Sequence, residues 1–150
     1  MYKNILLPHD GSELSDEAAD HGIALARSVK AKLTVMHVIA HRNLVLDEGV
    51  SSKLVQKLES DYENLAKKNA EALLDKVTAR AKAVGVESNG LVVVGDDPYE
   101  EIIDKAGQLG CDLVVMASHG RRGLEGLLLG SETVKLLTHS RIPVLVVRHR

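Results

Sequence analysis

Two rhythms of apolar residues alternate along the chain. Short continuous runs recur at Tyr2 to Pro8 (Ile5, Leu6, Leu7 in a row), Lys32 to Val38, Leu113 to Ala117 and Val144 to Val147. A weaker run lies within Val86 to Val94, where Ser88-Asn89-Gly90 is expected to interrupt it. Runs of this length and branching predict strands, and continuous rather than alternating apolarity predicts burial on both faces. Between them the period lengthens to that of a helix. Leu14, Ala18, Gly22, Leu25, Ala26 and Val29 share one face, with Ser12 or Ser15 as cap and Glu13, Asp16 and Glu17 in the first turn. After a loop over 39–50, a long stripe runs through Leu54, Leu58, Tyr62, Leu65, Leu73, Val77, Ala81 and Val84. It is expected to face the core as far as the stop at Gly85. Pro98 opens a third helix that ends at Leu109-Gly110, and Ser131 is expected to open and cap a fourth.

Strand–helix alternation with right-handed crossovers gives an α/β fold. The expectation is an open parallel five-stranded sheet in the order 3-2-1-4-5, Rossmann-like, with helices on both faces. No linker, repeat or low-complexity stretch divides it, so residues 1–150 are expected to form one domain. Ligands in such sheets sit beyond the carboxyl ends of the strands, where the strand order reverses. Here that crevice lies between strands 1 and 4, and Asp10 would face the segment that follows Ala117.

That segment carries the candidate chemistry. The fourth strand runs into Ser118-His119-Gly120, then nine residues, then Gly130-Ser131 at a helix start. Glycines there let the backbone approach a ligand, a helix N-terminus faces the same spot, and Arg121 and Arg122 add two cations. The combination suits an anion, best a phosphate. It is neither a Walker A loop, lacking the Gly-Lys-Ser/Thr ending, nor a G-x-G-x-x-G dinucleotide fingerprint.

Composition narrows the partners. A formal net charge of −2 advertises no nucleic-acid or membrane surface. With no Trp or Phe and only Tyr2, Tyr62 and Tyr99, a base-stacking platform for single strands is excluded. No stretch has the apolar length of a membrane span, and the N-terminus lacks a signal-peptide core. Cys111 is the only cysteine, so no intrachain disulfide forms and a cytoplasmic location is expected, with Cys111 a small core residue. The seven histidines lack ligand spacing, and no metal site is expected.

Several blocks together resemble the universal stress protein family over nearly the whole chain. They are Ile5-Leu6-Leu7-Pro8-His9-Asp10-Gly11-Ser12, Met36-His37-Val38, Met116-Ala117-Ser118-His119-Gly120-Arg121-Arg122-Gly123, Leu127-Leu128-Leu129-Gly130-Ser131 and Pro143-Val144-Leu145-Val146-Val147. The resemblance implies a small, usually dimeric α/β protein, of a family one branch of which binds ATP or AMP. That branch carries Gly-x-x-Gly, nine residues, then Gly-Ser/Thr. Gly120, Gly130 and Ser131 match its last three positions and would hold phosphate. The first glycine falls on Ala117, whose methyl group is expected to narrow the approach to ribose and phosphate. Asp10 and Val38 match positions around adenine, and Met116 would line the same pocket. Pro8, His119, Arg122, Glu132 and Thr133 complete the expected nucleotide contacts, with Mg²⁺ as an accompanying ion.

The implied function is an adenine-nucleotide-binding stress-response protein acting as a regulatory module. It would form a homodimer through its last strand and act on a downstream protein partner. The alternative is a slow ATPase or adenylate-handling enzyme; without a P-loop lysine or an acidic pair for Mg²⁺, efficient hydrolysis is not expected. A receiver-like phosphoacceptor domain ranks below both, because Asp10 stands alone and Arg148 sits where a lysine would be needed.

Overall fold

The computed structural model describes residues 1–45, 47–120 and 128–149. Among the described residues five strands, β1 (Asn4–Pro8), β2 (Lys32–Ile39), β3 (Ser88–Val94), β4 (Leu113–Ala117) and β5 (Val144–Val147), alternate with four helices. These are α1 (Glu13–Val29), α2 (Ser52–Ala83), α3 (Pro98–Gln108) and α4 (Ser131–His139). The sheet order is β3-β2-β1-β4-β5, with every pairing parallel.

Continuous apolar runs do fill both faces. Ile5 and Leu7 point to the side where Leu14, Ala18 and Ala26 of α1 and Leu74 and Val77 of α2 pack. Leu6, one residue out of phase, joins Met36, Val114 and Met116 against Ile102 and Ala106 of α3 and Leu136 of α4. Alternation along a strand thus divides one apolar run between two cores. Close approach of α1 is possible at Gly22, where an added Cβ would sit 3.4 Å from Leu7 Cδ1. Cys111 is buried in the α3/α4-side core, and burial together with the Asp112 carboxylate pushes its thiol pKa up to about 11.

Three expectations are corrected. Ser88-Asn89-Gly90 does not interrupt the third strand but opens it. Ser88 Oγ donates to Thr78 O at 3.1 Å, Thr34 Oγ1 donates to Asn89 Oδ1 at 3.2 Å, and Gly90 makes room for Leu74, 3.1 Å from where its Cβ would be. The α2 stripe is core-facing only in its C-terminal half. Leu54, Leu58, Tyr62 and Leu65 are 48%, 42%, 41% and 58% exposed, Leu73 is half-buried and Val84 again exposed, while Val77 and Ala81 are buried together with Ala70 and Leu74, which the stripe did not include. The 32-residue helix is about 48 Å long and the strands it crosses about 25 Å, so half of it runs past the sheet. The cap of α4 is Gly130, and Ser131 is the first helical residue. For α1 the choice falls on Ser12, whose Oγ accepts from Ser15 N at 3.2 Å.

Candidate functional site

Parallel pairing of β1 with β4, Ile5 opposite Leu113 and Leu6 opposite Val114, brings together the two turns that leave their carboxyl ends. The β1 turn is tight. Ser12 N donates to Asp10 Oδ1 at 2.9 Å, and Gly11 takes φ +83°, a conformation that favours glycine. The other carboxylate oxygen lies against the β4 turn: a Cβ on Gly120 would sit 2.5 Å from Asp10 Oδ2. The aspartate and the glycine read separately from the sequence therefore meet across one crevice.

The β4 side of the crevice is built from backbone. Gly130 N donates to Ser118 O at 2.6 Å, Ser118 N donates to Val147 O at 2.8 Å, and the start of α4 has no side-chain cap. Like any helix, α4 leaves its first amides without intrahelical acceptors. Ser131, Glu132 and Thr133 thus place a positive helix end beside the loop. A Cβ on Gly130 would lie 3.0 Å from His119 Cα and 3.2 Å from His119 Cβ. A side chain at this glycine would press on the loop itself.

Other expected contacts divide by where their side chains are committed. Thr133 Oγ1 donates to Ala117 O at 3.2 Å, tying α4 to the end of β4. Glu132 Oε2 accepts from Tyr99 N at 3.0 Å and so caps α3, whose own cap residue Asp97 makes no such bond. Glu132 and Thr133 can offer a ligand their amides. Met116 and Val38 belong to the core on the α3/α4 side, Val38 at its half-buried margin. The methyl of Ala117 belongs to the opposite core, the one that holds Val115 and Leu7. Pro8 closes β1 opposite Met36. His119 bonds locally, its Nδ1 3.3 Å from Gly120 O, with the His149 ring 6.3 Å away. Arg121, Arg122 and Gly123 lie outside the described residues.

One element escaped the sequence reading. His9, 2% exposed, joins Asp16 at 3.1 Å, and Arg80 of α2 bonds Asp16 at 3.1 Å. Burial, outweighing the pull of Asp16 and Asp10, holds the His9 pKa below its ordinary value. Only its apolar flank hinted at burial; its carboxylate partner lies on α1 and is held in turn by Arg80 of α2. Asp16 read simply as an acidic first-turn residue. Ser15, His9 and Asp16 resemble a catalytic triad by composition only, because the Ser15 hydroxyl donates to Ser12 O at 2.8 Å and His9 Nδ1, the nitrogen left over from Asp16, accepts from Gly11 N at 3.1 Å.

Among the described residues no group of three or more His, Cys, Asp or Glu could hold a metal ion, and no helix is long and apolar enough to cross a membrane. Two grooves lie elsewhere. One, of about 600 Å³, separates α3 from α4 near Tyr99, His139 and Arg141; the other, of about 460 Å³, runs along α1 and β5.

Residues 1–148 match the profile of the universal stress protein family. The chain belongs to that family. Universal stress protein MJ0577 of Methanocaldococcus jannaschii is 32% identical over 158 residues, covering 100% of this chain and 97% of its own length. Universal stress protein YxiE of Bacillus subtilis is 31% identical over 151 residues, covering 99% and 100%. The solved structure of MJ0577 superposes with a TM-score of 0.86 at 33% identity, over 100% of this chain and 98% of that one. A universal stress protein solved in complex with cAMP shares the fold (TM-score 0.71, 24% identity, 98% and 97% coverage). So does the Archaeoglobus fulgidus universal stress protein solved in complex with dAMP (TM-score 0.63, 18% identity, 97% and 98% coverage).

Proposed function

We propose that this universal stress protein is a regulatory module that binds ATP or AMP in the β1/β4 crevice and relays occupancy to a downstream protein partner. The observation that carries the reading is the Asp10 carboxylate lying against Gly120 at the reversal of strand order. In this reading Asp10 and Val38 face the adenine, with Pro8 and Met116 forming the floor beneath it. The amides of Gly120 and of the α4 start, with the Ser131 hydroxyl, take the phosphates, and His119 and Arg122 flank them. The sandwiching surface is aliphatic, in keeping with a chain that has three tyrosines and no other aromatic of that kind. The cAMP and dAMP complexes are of proteins that share the fold, so adenine nucleotides suit this architecture in those cases. The whole chain serves as one nucleotide-binding domain, in the cytoplasm, with Mg²⁺ arriving as the nucleotide's counter-ion.

Turnover is slow or nil in this reading. Phosphoryl transfer needs charge neutralisation and a positioned nucleophile. His9 is buried with both nitrogens engaged, and Asp10 already holds Ser12 N. The proposed homodimer pairs β5 strands about a two-fold axis: β5 is the sheet edge, and its Leu145 is 41% exposed.

Calorimetry with ATP, AMP and GTP tests the assignment. Saturable binding of ATP or AMP, weaker binding of GTP and a loss of at least about tenfold in Asp10→Ala support it. Equal affinity for GTP, or an unchanged Asp10→Ala variant, moves the base elsewhere.

A further inference from the structure

His9 follows the last paired core residues of β1 and immediately precedes Asp10, yet it is as buried as the core. Both ring nitrogens are in use. Gly11 N donates to Nδ1 at 3.1 Å, and Nε2 lies 3.1 Å from Asp16 Oδ1. A backbone amide can only donate, so Nδ1 carries no proton; an ionised carboxylate can only accept, so Nε2 carries one. These two partners select a single neutral tautomer. The surrounding backbone is pinned to β2, with His9 N donating to Met36 O at 2.8 Å and His37 Nδ1 donating to His9 O at 2.7 Å. The ring is therefore the inner wall of the Asp10-Gly11-Ser12 turn.

We propose that His9 is a proton-sensitive positioning residue for Asp10. As the neutral ring it accepts from Gly11 N–H and keeps the Asp10 carboxylate aimed at Gly120; a second proton, on Nδ1, opposes that N–H and releases the turn. The consequence for ligand rests on the reading of this crevice as the nucleotide site.

The groups facing the ring decide the direction of the response. From α1 come Asp16 and Ser15, the latter with Oγ 3.4 Å from Nδ1 but its proton given to Ser12 O. From α2 comes Arg80, bonded to Asp16; His37 of β2 bonds the His9 carbonyl rather than the ring. Asp10 stands next in the chain. Asp16 would welcome a charged ring, but its side chain is 53% exposed and shared with Arg80. Burial dominates and lowers the pKa of His9 from 6.5. A histidine whose pKa is depressed on folding stabilises the fold as the neutral species above pH 6.5, and that stabilisation is lost as the pH falls below it. The turn is thus latched at neutral pH and released in acid.

Imidazole and amide NMR of the full chain between about pH 8 and about pH 5, run beside ATP calorimetry, tests the device. The variant is His9→Asn, whose Oδ1 replaces Nδ1 as an acceptor and does not titrate. The wild type is expected to show the Nε2–H tautomer near neutrality, with the Gly11 amide shifting and exchanging faster as the ring protonates. ATP affinity should fall further on acidification in the wild type than in His9→Asn, in step with the shift of the Gly11 amide. Titration of ATP itself is common to both proteins and cancels in the comparison. An Nδ1–H tautomer, a Gly11 amide that ignores the titration, or equal affinity losses in the two proteins would overturn the proposal. Should ATP fail to bind at any pH, the nucleotide reading fails while the Gly11 signal still decides the latch.

Discussion

Replacing Gly120 by alanine should change the sign of its effect on stability according to what stands at position 10. The new Cβ would lie 2.5 Å from Asp10 Oδ2, about 0.9 Å inside the 3.4 Å at which ordinary contact begins. Relief requires the carboxylate to swing, and its other oxygen is held by Ser12 N at 2.9 Å. Giving up a hydrogen bond to a charged acceptor costs about 1.5–3 kcal/mol, and Asp10 is half-buried, which places the cost at about 1.5 kcal/mol. The backbone at Gly120 is not left-handed, so the lower chain entropy of alanine returns about 0.4–1 kcal/mol. The net loss is about 0.5–1 kcal/mol, roughly 2 °C in Tm. In an Asp10→Ala background the clash is gone and only the entropic gain remains, so Gly120→Ala should stabilise. Urea unfolding of the four proteins closes the cycle. Equal destabilisation by Gly120→Ala in both backgrounds would refute the contact between the two turns.

Three further outcomes follow from single contacts. Glu132→Gln weakens the cap on Tyr99 N and should cost about 0.5–1.5 kcal/mol in urea unfolding, with amide exchange accelerated first in the opening turn of α3. Cys111, buried and with its thiol pKa pushed up to about 11, should resist iodoacetamide near pH 8 and react at the rate of a free thiol once the chain is unfolded. Leu145→Lys on the open edge of β5 should give a monomer in sedimentation while leaving ATP affinity within about twofold, because a charge there opposes strand pairing and the crevice lies at the strand ends.

The sequence made the β1/β4 crevice visible because each half depends on local chemistry: a strand end followed by Asp-Gly-Ser, and a strand end followed by glycines and a helix start. It concealed what depends on distance. Helical periodicity marks the α2 stripe but carries no information about where the sheet beneath it stops, so Leu54 and Val77 read alike though one is 48% and the other 1% exposed. The break expected at Ser88-Asn89-Gly90 followed β propensity, which was overridden by a hydrogen bond from Thr34 and by Leu74 filling the space over Gly90. Ser131 looked like a cap because serine usually is one; the helix starts a residue earlier, and the nearest carboxylate, Glu132, serves another helix. His9 drew no role at all, since its partners are seven residues away in Asp16 and, through that carboxylate, on α2 in Arg80.

Amide NMR during titration with ATP tests the central claim most directly, because it locates the ligand as well as detecting it. Shifts should concentrate at 9–12, 118–120 and 130–133, saturating at one nucleotide per chain, with the α3–α4 groove silent. Shifts centred on Tyr99, His139 and Arg141 or on the β5 edge, or a spectrum unmoved by ATP and AMP, would contradict it.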